Sequence, residues 1–170
     1  MALVDLLRDR RERLLSGWRE RIFAEYPGGP GFFAKERDGL KNPVGAMVRE
    51  STEGLLGGLI DGATEEETRA RLDGIVRLRA VQDFRPAAAL AFVFGLKSIV
   101  RGELDGVASP GEMREFEDAV DRLSLLAFEV YAGCREQMLR LSVKAMRDRS
   151  MKLMERAGMI TGDPEEGEAR

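Results

Sequence analysis

Between its start at Pro110 and Gly158, the last third of the chain meets no helix breaker. At 1.5 Å per residue, one helix through this stretch approaches about 70 Å, longer than a domain of this size is wide. Its start is well signalled. Ser109 is an N-cap residue, Pro110 takes the first helical position, where its missing N–H costs nothing, and Glu112 completes a capping box. Phe116, Val120, Leu123, Ala127, Val130 and Cys134 then step by alternating fours and threes. That is heptad spacing, read as packed core or as a dimer interface. Past Cys134 the seam meets Gln137 and Lys144, and methionines take over. Methionine repacks readily, so Met138, Met146, Met151 and Met154 are candidate partner contacts; gap filling is the plainer reading.

The remaining segments are also helical in period, and no alternating strand pattern occurs. A first helix is expected over about residues 3 to 24, with Leu7, Leu14, Trp18 and Ile22 on one face and arginines over the rest. Those arginines read as a lipid-seeking surface or, interleaved with Asp9, Glu12 and Glu20, as a solvated one. "YPGGPGFFAKERDG" breaks this helix, with Phe32 and Phe33 expected back in the core. Asn42 caps a second helix and Pro43 opens it. Gly54, Gly58 and Gly62 recur in that helix at every fourth residue, which points to a close approach by a neighbouring helix, a ligand or a partner chain. Thr64 and Glu67 form a capping box for a third helix running towards Asp83. Pro86 marks the boundary of a fourth, "PAAALAFVFGLKSIVRG", apolar on nearly all sides until Lys97.

Composition narrows the chemistry. The chain has no histidine and one cysteine. Histidine-dependent triads, histidine-bound zinc, proximal-histidine haem and thiolate clusters are therefore excluded, and neither an enzyme nor a metal or other cofactor is expected. A net charge of −3 argues against nucleic acid as the main partner. No secretory signal is read at the amino terminus. The longest apolar run, Ala87 to Leu96, falls far short of the roughly 20 residues a bilayer span needs. Membrane association is not expected, and a lone cysteine suits the cytoplasm.

"RLRAVQDFRP", residues 77 to 86, is polar just where apolar helices should meet. Arg79 and Asp83 are four apart and can pair on a helix, and Gln82 shares a face with Arg79. Arg77, Arg79, Gln82 and Asp83 are thus either a clasp between helices or the lining of a small pocket for an anion or polar ligand.

The end of the first helix (Trp18, Ile22, Tyr26, Pro27), the "NPVG" at Asn42 to Gly45 and "VRLRAVQDFRPAAALAFVFGLKSIVR" from Val76 resemble the RsbRD amino-terminal domain family, named for RsbT co-antagonist proteins of bacterial stress signalling. The resemblance makes Trp18, Tyr26, Asn42, Pro43, Phe84 and Pro86 signature residues. It implies an all-helical, globin-like sensory domain without haem, usually dimeric and not catalytic. Such proteins usually continue into a STAS domain, for which this sequence leaves no room. The expectation is an all-α bundle of about five helices over residues 1–157 with a long C-terminal helix, and an acidic, disordered tail over 158–170. It would act as a stand-alone homodimeric input module on a separate signalling protein.

Overall fold

A computed structural model of the chain describes residues 2–26, 40–82 and 84–159. Among the described residues there are six α-helices and no strands: α1 (Leu3–Asp9), α2 (Arg11–Ala24), α3 (Pro43–Asp61), α4 (Glu65–Val81), α5 (Pro86–Glu103) and α6 (Pro110–Arg156). The all-α class and the long last helix are as the periodicity required. The expectations for Phe32 and Phe33, for Asp83 and for the tail beyond Met159 lie outside the described residues. The chain forms two compact units, Met1–Gly133 and Cys134–Arg170.

The sixth helix arises where one was expected. The segment from Leu3 to Ala24 is not continuous, because Arg10 leaves helical geometry at φ −105° and ψ 8°. Neither proline nor glycine lies there; packing imposes the break. Leu6 and Leu7 precede it and Leu14 and Leu15 follow it, all four buried. Eight residues on, a straight helix would carry the second pair about 80° around the axis from the first. The break lets both pairs face the core.

That core is held by Trp18 and Ile22 of α2, Val48 and Leu56 of α3, Leu72 and Ile75 of α4, and Phe92, Val93 and Leu96 of α5. Each large apolar side chain so enclosed stabilises the fold by about 1.5–3 kcal/mol before entropy is counted. The heptad residues Phe116, Val120, Leu123, Ala127 and Val130 of α6 are buried within the chain's own fold, so this seam packs core and is not an open dimer face.

Several arginines of the first two helices act as ties to neighbouring helices, while Arg8, Arg13 and Arg21 remain exposed, as on a solvated face. Arg8 pairs with Asp61, and Arg19 donates to the Thr52 hydroxyl and the Arg49 carbonyl, both at 2.9 Å. Partial burial lowers the Arg19 pKa, a shift that Glu53 and Glu12 oppose. Lys97 and Arg101, at the far end of α5 from Arg79, reach Asp121 and Glu117 on α6. Exposed pairs of this kind contribute little individually, and their use here is to orient neighbouring helices.

The glycine stripe has a local cause. The Arg71 guanidinium of α4 lies so close over Gly54 that a Cβ there would fall 2.0 Å from its Nη1. Gly62 ends α3 with φ +84°, in the region side chains avoid. The close approach at Gly54 is thus an arginine of the same chain.

Both capping boxes form. Glu67 accepts from the Thr64 N–H at 2.9 Å, and Glu112 accepts from the Ser109 hydroxyl at 2.7 Å and its N–H at 3.1 Å. The second oxygen of Glu112 accepts from the Leu3 N–H at 3.1 Å, tying the start of α1 to the start of α6. Hydrogen bonds from the Thr64 backbone and hydroxyl hold Glu67 below the usual carboxylate range. Those from Ser109, hydroxyl first, do the same for Glu112.

Thr64→Ala is expected to lower unfolding free energy by about 1 kcal/mol in urea titrations followed by Trp18 fluorescence. Because both carboxylates have folded pKa values below their unfolded ones, their contribution is complete above about pH 4.3 and is lost as the pH falls through the folded values. The stability gap between the wild type and the double variant Glu67→Gln/Glu112→Gln should therefore narrow on acidification.

Candidate functional site

Leu72, Ile75 and Val76 set the buried stripe of α4, and the next turn of that stripe falls on position 79. An arginine stands there, fully enclosed, with 0% of its surface exposed. Its Nη1 meets the Glu25 carboxylate, just beyond α2, at 2.7 Å. Nη1 also donates to the Ala88 carbonyl at 3.2 Å, and Nε donates to the Tyr26 hydroxyl at 3.3 Å. The guanidinium carbon lies 5.3, 5.2 and 5.1 Å from the ring centres of Tyr26, Phe84 and Phe92. Three aromatic faces, one carboxylate and the first turn of α5 thus enclose one cation. Nη2 is buried and has no hydrogen-bond partner among the described residues.

The cage is braced from outside. The Phe84 N–H donates to the Arg79 carbonyl at 3.2 Å, and the Tyr131 hydroxyl of α6 donates to the Phe84 carbonyl at 2.9 Å. Trp18 is fully buried, stacks on Phe92 and donates to its carbonyl at 2.7 Å. Asn42 accepts from the Gly45 N–H at 2.8 Å as an N-cap, with Pro43 in the first turn. Pro86 opens α5 from an exposed position.

Arg77 and Gln82, singled out with Arg79, do not join it. Two residues along a helix turn about 200°, and Arg77 accordingly lies on the surface, held by both oxygens of Asp73 at 2.9 and 3.0 Å. Gln82 is exposed, and Asp83 lies outside the described residues. Neither of two clefts in the same unit is lined by Arg79. One, of about 500 Å³, is lined by Leu55, Leu59 and Leu126 among others; the second, of about 480 Å³, lies beside Arg11, Glu53 and Arg71. In the second unit, Met146 is 69% exposed and Met154 37%, while Met138 and Met151 are half-buried.

Sequence reasoning missed Glu25, Phe92 and Tyr131. Glu25 stands 54 residues from Arg79 and Tyr131 stands 47 from Phe84, so no local spacing announces either contact. A signal for Arg79 itself was present in the helical phase of Leu72, Ile75 and Val76.

Residues 12–145 match the family model for the RsbT co-antagonist protein RsbRD N-terminal domain. The chain belongs to this family. The match takes in α2 to α5, the whole Arg79 cage and α6 as far as residue 145. Membership makes the chain a regulatory domain of the stress-response signalling type. No curated protein and no solved structure matches it. Among the described residues no helix is long and apolar enough to cross a membrane.

Glu25→Gln, which leaves a buried guanidinium without its counter-charge, is expected to cost about 2 kcal/mol. This is below the range for a fully enclosed pair, because water reaches Glu25. Arg79→Met removes the charge along with the need for its partner and should cost less, whereas Arg79→Lys cannot reproduce the planar contacts. Urea midpoints of the three variants, read by Trp18 fluorescence, check the order.

Proposed function

We propose that this RsbRD-family domain is a sensory input module of a bacterial stress-response system. In this reading it is a cytoplasmic homodimer that acts through protein contacts and not through catalysis. The observation that supports this most directly is the double use of α6. The same helix buries Phe116, Val120 and Leu123 in the core of the first unit and carries exposed Leu139, Met146 and Leu153 in the second. A helix that is core at one end and free surface at the other can pass on a change in packing, provided the core has two arrangements.

Phe94, Leu125 and Phe128 are 51%, 68% and 54% exposed on the first unit, and they are the apolar residues a second copy would cover. Light scattering coupled to size exclusion should give twice the chain mass, and Phe128→Arg should halve it. A monomeric wild type would overturn the homodimer. Truncation after Cys134 is expected to abolish partner binding while the thermal transition persists. Binding that survives the truncation would remove α6 from the output role.

A second reading, a small-ligand-binding protein, is favoured by the enclosed Nη2 of Arg79. An anion that engages it would raise the melting temperature of the wild type and leave Arg79→Met unmoved.

A further inference from the structure

In the second unit, every residue of α6 from Leu139 to Ser150 is exposed, and the pattern of those side chains is orderly. Leu139, Val143, Met146, Ser150 and Leu153 follow one another by four, three, four and three residues. Leu139, Val143, Met146 and Leu153 are 65%, 58%, 69% and 61% exposed. This is a second heptad seam, distinct from the buried one that begins at Phe116. It has leucine or methionine at the d positions (139, 146, 153) and valine then serine at the a positions (143, 150). Met154 borders it, while Met138, Leu141 and Met151 fall off it.

Charge is arranged around this seam with one sign. The e positions hold Arg140 and Arg147, and the g positions hold Arg149 and Arg156. The acids Asp148 and Glu155 fall at f, on the far side of the helix from the seam. Glu136 is already engaged with Arg140 at 3.4 Å. Seven lysines and arginines and three acids lie between residues 135 and 156, a net charge of +4 in a chain whose total is −3.

The e and g charges of a coiled coil set its partner and orientation. A second copy is a poor fit in either direction. Parallel pairing puts each g residue near the e residue five places on, which sets Arg135 against Arg140 and offers no opposite-charge pair. Antiparallel pairing sets e against e and g against g, arginine on arginine. An amphipathic helix with glutamate or aspartate in its flanking positions meets both requirements, covering the apolar seam and giving each arginine a carboxylate. We infer that residues 139–156 of α6 are a docking strand for an acidic amphipathic helix of another protein, paired as a heterotypic coiled coil. The inference rests on the reading of this stretch as the partner-contact surface and adds to it the chemistry of the partner.

The full chain is titrated, by fluorescence anisotropy, into two synthetic four-heptad peptides with isoleucine at a and leucine at d. One carries glutamate at e and g, the other lysine. The wild type should bind the acidic peptide at least about tenfold more tightly than the basic one, with binding weakening as salt is raised. The variant Arg140→Glu/Arg147→Glu/Arg149→Glu/Arg156→Glu, which alters only exposed side chains, should reverse the preference while Trp18 fluorescence stays native. Equal binding of both peptides overturns the charge inference and leaves the contact surface standing. Binding of neither overturns the contact surface itself. Flotation with phosphatidylserine vesicles that outcompetes the acidic peptide would reassign the strand to a membrane. A change in light-scattering mass on charge reversal would reassign it to a second copy.

Discussion

A positive charge removed from water is the condition the rest of the first unit has to satisfy. Arg79 occupies a core step of α4, and a guanidinium there is expensive unless its surroundings replace hydration. They do so with the Glu25 carboxylate, the Tyr26 hydroxyl, the Ala88 carbonyl and three ring faces. Together these groups come from three places: the end of α2, the first two turns of α5 and the turn between α4 and α5. A buried ion pair adds little net stability over an apolar isostere. What it supplies is selection, because few arrangements of the three helices bring these groups to one point together. The clasp ties α2, α4 and α5 together at one point.

The surface ties point the same way. Arg19 bonds α3, Arg21 bonds Ser98 on α5, and Lys97 bonds Asp121 on α6. Apolar burial at Trp18, Phe92 and Leu72 provides the driving force, and the polar contacts set azimuth and offset. Gly54 shows the two working together, since the missing side chain there is what admits Arg71 against the α3 backbone.

Where the cause lay within a turn or two of chain, the sequence was readable. Asn42 with Pro43, Thr64 with Glu67, and Ser109 with Pro110 and Glu112 each announced a helix start, because a cap is a contact over three residues. The break at Arg10 was invisible, because it answers to how two leucine pairs meet residues far along the chain. The candidate site divides on the same line. "RLRAVQDFRP" drew attention to Arg79, but the grouping of Arg77 with it was undone by helical phase. The partners that define the cage come from Glu25 and Tyr26, more than 50 residues upstream. Methionine content pointed to the second half of α6 as a contact surface, while Leu139, Val143 and Leu153 supply most of the exposed seam there.

The oxygen of Glu112 that takes the Leu3 amide joins two points 109 residues apart. The other oxygen of that carboxylate caps α6, so the opening residues of the chain and the first turn of its longest rod share one group. A fluorophore, affinity handle or fusion placed ahead of Leu3 therefore sits beside the beginning of α6.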